Sequence, residues 1–222
     1  MSLGFVKVNW DDIDSYSNEE ITYFLFLEGK SINAICKIRN LDKSIVQKHI
    51  VEGKIKYRLL ARSSNEKELI HNISKAGKMD KLDIINSLDE DTKNRLIQYI
   101  KNNYVDMYSR DKETAIWIIG ELKETGCNEI LTKASVHKFV NVRRMAISAM
   151  RKINDKSFER ALIRALEDEN PQVLLYAIKG LAEIKSDFAK GKILDILQKT
   201  DKEYLKKACE VFLSEKDNSE QE

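Results

Sequence analysis

The sequence predicts an all-α protein, a helix-turn-helix module followed by an α-solenoid of stacked helix pairs, and three observations carry that expectation. The first is a period of 31 residues: Ala115, Ala146, Ala177 and Ala208 recur at that interval, followed by Ile116, Ile147, Ile178 and Cys209. Ile119, Met150, Leu181 and Phe212 stand four positions beyond the alanines. Apolar helical patterns that return at a fixed period belong to units that bury their faces only against their neighbours. The second is composition, because one proline and eight glycines in 222 residues favour long helices over sheets and tight turns. The third is a close series of helix starts and stops between residues 17 and 50.

Residues 1–62 read as the helix-turn-helix module. Ser17 and Glu20 form a capping box ahead of Ile21, Phe24, Leu25 and Leu27. Glu28-Gly29-Lys30 stops that helix, and Ser31 caps a short one whose Ile32, Ile35 and Ile38 are expected to face inward. Arg39-Asn40-Leu41 turns the chain, and Asp42 opens a third helix bearing Val46 and Ile50. This order of helix, short helix, turn and helix is that of a helix-turn-helix. Residues 54–59 alternate charge and apolar character, which suits either a wing-like strand or a continued helix.

From Phe26-Leu27-Glu28-Gly29-Lys30-Ser31-Ile32 through Val46-Gln47-Lys48-His49-Ile50, the module resembles the helix-turn-helix near the C-terminus of RecQ-type helicases, with Cys36 where that pattern prefers alanine. With the third helix in a major groove, its early outward residues Lys43, Ser44, Gln47 and Lys48 would meet the bases and nearby phosphates. Lys30, Arg39, Lys54, Lys56 and Arg58 would supply positioning phosphate contacts. Charge agrees: residues 29–62 hold nine basic groups against two acids, whereas residues 1–28 hold one against six and residues 63–222 balance at 28 of each. A basic stretch is also a common solvated face, and many such modules contact protein instead. His49 reads as a packing residue.

Residues 63–79 read as a linking or capping helix, started by Asn65 with Glu68 and ended near Gly77. The solenoid is assigned to 80–214, with 80–106 as a degenerate first repeat and 215–222 as a disordered tail. First helices are expected over 112–124, 142–153, 173–184 and 203–214, and second helices over 127–137, 157–168 and 188–199. Leu131, Leu162 and Ile193 repeat the 31-residue spacing on the second helices. Gly126, Asp155, Asp187 and Asp201 are candidate caps, and Pro171 suits a helix start. The segments Val142-Arg143-Arg144-Met145-Ala146 and Asp168-Glu169-Asn170-Pro171-Gln172-Val173 resemble HEAT repeats of the short phycocyanobilin-lyase type. Arg143 fits that family's arginine, but Leu174 and Leu205 take its place in the next repeats.

Catalytic signatures are missing: there is no nucleophile elbow, phosphate-binding loop or dinucleotide fingerprint. Cys36, Cys127 and Cys209 form no metal-ligand spacing, and the Asp11, Asp12, Asp14 cluster lacks the glycine and glutamate of a calcium loop. Neither metal nor cofactor is expected. No apolar run is long enough for a membrane span and no signal peptide is evident, so the expectation is a reduced, cytoplasmic protein, similar to small bacterial HEAT-repeat proteins. Trp117 stands outside the core register, because its column continues as Ser148, Lys179 and Glu210; it either packs against the preceding degenerate repeat or, with Glu121, Arg143 and Arg144, is a candidate partner surface. The functional expectation is a non-enzymatic binding protein, holding DNA through the module and a protein through the repeats. The alternatives are a scaffold that contacts protein alone or, less favoured, a HEAT-like alkylation-repair glycosylase using Trp117 and Glu121.

Overall fold

The computed structural model describes residues 4–219, with side chains described through Ser214. It is helical, with no strand among the described residues, and it divides into two compact units, Met1–Tyr99 and Ile100–Glu222. No helix of the described residues is long and apolar enough to cross a membrane.

The first unit opens with a 3-10 turn, Trp10–Ser15, whose Asn9 side chain accepts from the Asp11 amide. Helices α1 (Asn18–Leu27), α2 (Ile32–Arg39) and α3 (Lys43–Lys56) follow as the capping signals foretell. The Ser17–Glu20 box closes in both directions, Ser31 accepts from the Ala34 amide, and Gly29 takes a left-handed φ of 88° at the stop. Asp42 holds the N-cap position of α3 without a side-chain bond to the helix. Ile35, Val46 and Ile50 form the core of this tri-helical piece, with Ile32, Cys36 and Leu41 packed around it. Ile38, expected inward, is instead 58% exposed. Successive steps of three residues lag a helical face by roughly 60° each, so the third isoleucine rotates off it.

Where residues 54–59 left strand and helix open, the chain is helical: α3 runs to Lys56 and α4 (Arg58–Arg62) follows. At Gly53 a Cβ would meet the Tyr23 ring at 2.2 Å, so α1 and α3 approach as closely as they do only because that residue is glycine. Three more helices, α5 (Glu66–Lys75), α6 (Lys78–Ser87) and α7 (Glu90–Asn103), bury Leu69, Ile70, Ile73, Ile84, Ile85 and Leu96. Gly77 begins α6 and does not end α5. Residues 63–99, read from the sequence as a linking helix and part of a degenerate repeat, therefore lie in the first compact unit.

In the second unit, first helices α8 (Ser109–Glu121), α10 (Val140–Ile153), α12 (Pro171–Glu183) and α14 (Glu203–Ser219) pack in succession. Second helices α9 (Asn128–Ala134), α11 (Glu159–Ala165) and α13 (Lys190–Lys199) lie between them in the chain. Ala115, Ala146 and Ala177 are fully buried and Ala208 nearly so, as are the Leu131, Leu162 and Ile193 column. A methyl group at these positions leaves room for the neighbouring helix, which a longer side chain would push away. The alanine period is thus a packing period. Helix α14 continues to Ser219, beyond the residue 215 at which a disordered tail was expected, and the rest of that tail lies outside the described residues.

One structural signature of the repeat escapes the sequence. Lys123, Asn154 and Lys185 all adopt left-handed φ values, 51°, 56° and 53°, and they are spaced by the same 31 residues. Each ends a first helix, so Gly126, considered as that cap, is not needed there. Asp155 caps a 3-10 turn by accepting from the Ser157 amide. Pro171 occupies the first turn of α12, behind an Asn170 cap.

Candidate functional site

Helix α3 is built with two faces. Val46, His49, Ile50 and Gly53 make the buried seam. Ser44, Gln47, Lys48, Val51 and Ile55 point away from it, and all are exposed. The left-handed Asn40 (φ 49°) turns the chain tightly enough for Lys43 to start α3 in solvent. The predicted quartet Lys43, Ser44, Gln47 and Lys48 is therefore brought together on the first two turns. Within it, Lys48 approaches Glu52 loosely, Nζ to Oε1 3.9 Å.

The remaining predicted phosphate contacts divide. Lys30 and Arg58 are exposed. Arg39 is half-buried, and its Nη2 donates to Asn18 Oδ1 at 2.6 Å. Lys54 lies over the Phe26 ring at 5.0 Å, and Lys56 pairs with Glu20 at 2.7 Å. Both lysines are exposed and reach back to α1, so their charge is shared with contacts inside the module. Burial alone would raise the Glu20 pKa. Bonds from Lys56 and Tyr57, with the Ser17 amide, outweigh it and hold the carboxyl at about 2. His49 is buried against Thr22, Nδ1 to Oγ1 3.2 Å, with Nε2 3.7 Å from Glu19.

The predicted partner residues of the stack are mostly engaged inside it. Arg143 makes a two-pronged pair with Asp168, Nε–Oδ2 2.6 Å and Nη2–Oδ1 3.0 Å, and donates to the His137 carbonyl at 2.9 Å. The Asp168 side chain is 8% exposed. Arg143, expected on a partner surface, instead pins the loop before α10 to the loop before α12. Glu121 is ion-paired with Lys152 one repeat on. Trp117 and Arg144 are half-buried.

One period beyond Arg143 and Asp168 stand Leu174 and Lys199, which cannot make the same bond. A cavity of about 540 Å³ opens at that joint, floored by Leu166, Leu174, Ile196 and Leu205 and edged by Lys199 and Lys202. Among the described residues, no cluster of His, Cys, Asp or Glu could hold a metal ion. The Cys127 and Cys209 thiols are pushed up to about 11, by burial first.

This geometry agrees with comparisons to known families. Residues 18–102 match a helix-turn-helix domain, and residues 129–214 match HEAT repeats. The chain carries both. The helix-turn-helix match extends through α7 and so covers most of the first compact unit, including the part read as a degenerate repeat. No curated protein matches the chain.

Proposed function

We propose that this protein binds DNA through the outward face of α3 and recruits a protein through its HEAT repeats, without catalysing a reaction itself. The observation that carries the first half is the solvent-facing group Lys43, Ser44, Gln47 and Lys48, in which Lys48 meets Glu52 at 3.9 Å. Gln47 supplies the donor–acceptor pair that reads adenine, and the lysines supply charge for guanine or phosphate. Lys30 and Arg58 add exposed charge, whereas Arg39, Lys54 and Lys56 serve the module's own packing in this reading. Fluorescence anisotropy with a labelled random duplex tests it. Affinity should fall steeply with salt, and Lys43→Glu with Lys48→Glu should weaken binding by roughly a hundredfold at low salt while helicity is unchanged. Binding absent at low salt, or indifferent to that pair of reversals, ends this reading.

The second reading, a scaffold that contacts protein alone, is favoured by one observation. Val51 and Ile55, 55% and 72% exposed, extend the same α3 face with apolar surface. Val51→Ser with Ile55→Ser separates the two. A DNA-binding α3 retains its salt-dependent affinity for duplex, and a protein-docking α3 has no such affinity to retain.

A further inference from the structure

The loops that lead into the first helices α8, α10, α12 and α14 form one edge of the stack. On the first two of these loops, equivalent positions one period apart carry large apolar side chains in solvent. Val105 and Val136 are 79% and 53% exposed, and Tyr108 and Phe139 are 83% and 46% exposed. Further along the stack the same register holds Glu167 with Asn170, and then Gln198, in the last turn of α13, with Asp201. Packing does not demand apolar residues at this register, since polar ones serve it further along the stack. Yet exposed apolar surface carries a standing cost in solubility.

Each of the two loops is tied to the helix that it leads into. Lys112 donates to the Val105 carbonyl at 2.8 Å, while Arg143 donates to the His137 and Lys138 carbonyls. Phe139 is flanked by the His137 ring at 5.4 Å and by Lys138 Nζ at 5.1 Å from its centroid. The local field is positive. His137 titrates below its ordinary value, first through burial and then through Lys112, Lys138 and Arg143. Asp168 neutralises Arg143 and the exposed Asp106 is an acid on the first loop, while Lys138 is an exposed cation beside the Phe139 ring.

We propose that this edge docks a segment of a partner protein that alternates acidic with aliphatic or aromatic side chains. Tyr108 and Phe139 would be its anchors, and Lys138 its charge partner. The proposal rests on the reading that the repeats recruit a protein, and it places the contact on the loop edge, away from Trp117.

The test uses the full chain and a short labelled synthetic peptide alternating Glu with Leu and Phe. The control is the same peptide with Lys for each Glu. The acidic peptide should bind and the basic one should not. Tyr108→Ser with Phe139→Ser should weaken binding by about tenfold or more. Lys138→Glu should weaken it less, and the His137 titration followed by NMR should move upward when the acidic peptide is bound. Equal binding of both peptides, or binding untouched by the double variant, overturns the proposal. Competition by duplex DNA that persists in Lys43→Glu with Lys48→Glu also overturns it, since the edge would then be a nucleic-acid surface. A photo-cross-linking residue placed in turn at Tyr108, Trp117 and Arg144 separates the two levels. Cross-links to protein at Trp117 or Arg144 but never at Tyr108 refute the edge and keep the stack as a protein binder, and none at any position refutes both.

Discussion

The two units use charge in opposite ways. On the first two turns of α3, Lys43 and Lys48 stand in solvent, and Lys48 Nζ lies 3.9 Å from Glu52 Oε1. In the stack, charges of adjacent repeats engage one another: Arg143 with Asp168, Lys152 with Glu121, Arg151 with Glu183 and Lys192 with Glu167. Residues 100–222 hold 22 basic groups against 21 acids, several of them paired within the stack, while the excess over residues 29–62 is part display and part structure. What separates a binding charge from a structural one is its partner, and composition does not report partners. An exposed, unpaired lysine contributes little to stability and much to the attraction of phosphate; a paired, half-buried arginine does the reverse.

Arg143→Ala should break this contrast most severely. It leaves the Asp168 carboxylate, 8% exposed, without its cation, so the loss of stability should be about 3 kcal/mol, as for other buried pairs broken from one side. Chemical denaturation reads it directly, and a loss below about 1 kcal/mol would place Arg143 among surface charges. Lys43→Glu with Lys48→Glu should do the opposite: a melting temperature close to that of the parent, and an affinity for duplex reduced by roughly a hundredfold at low salt, each reversal removing one favourable and adding one unfavourable phosphate interaction.

Glu20 sharpens the comparison inside the first unit, because it engages Lys56, one of the excess cations. Its folded pKa, about 2, lies below the ordinary 4.5, so the folded state favours the carboxylate. That contribution is complete above pH 4.5 and is lost as pH falls toward 2. Glu20→Gln should cost about 2 kcal/mol at neutral pH and flatten the acid limb of the stability curve. An unchanged acid limb would mean that other carboxylates govern it.

The fold was legible because its signals are local or periodic. Ser17 with Glu20, Ser31 and Gly29 punctuate the helix-turn-helix, and the alanine columns fix the stack. The boundary between units was not legible, because Ile84, Ile85 and Leu88 fall one period before Ala115, Ile116 and Ile119 and so imitate a repeat. Any amphipathic helix offers such a match at some register. The left-handed ends at Lys123 and Lys185 were hidden for a different reason, since lysine, unlike the asparagine at the equivalent Asn154, carries no propensity for that conformation. At the candidate site, helical spacing placed Lys43, Ser44, Gln47 and Lys48 correctly. The inward reach of Lys54 and Lys56 depends on Phe26 and Glu20, which sit nearly thirty or more residues earlier in the chain. No local pattern encodes that.

The smallest expected effect tests whether the joints of the stack are interchangeable. Leu174 and Lys199 occupy the places of Arg143 and Asp168 one period on, and the carbonyls of Asp168 and Glu169 stand where those of His137 and Lys138 accept from Arg143. Leu174→Arg with Lys199→Asp should therefore rebuild the pair and fill the cavity at that joint. The gain should be under about 1 kcal/mol, because the joint is open to solvent and the new arginine must lose side-chain freedom. Each single change alone should destabilise, Leu174→Arg by placing an unpaired cation over an apolar floor and Lys199→Asp by crowding Asp195 and Glu167. A double-mutant cycle in thermal unfolding measures the coupling free of these separate costs. Favourable coupling would show that the arginine joint is a property of the repeat geometry. Zero coupling would show that the backbone at the third joint differs from that at the second, and that the cavity is shaped by more than two missing side chains.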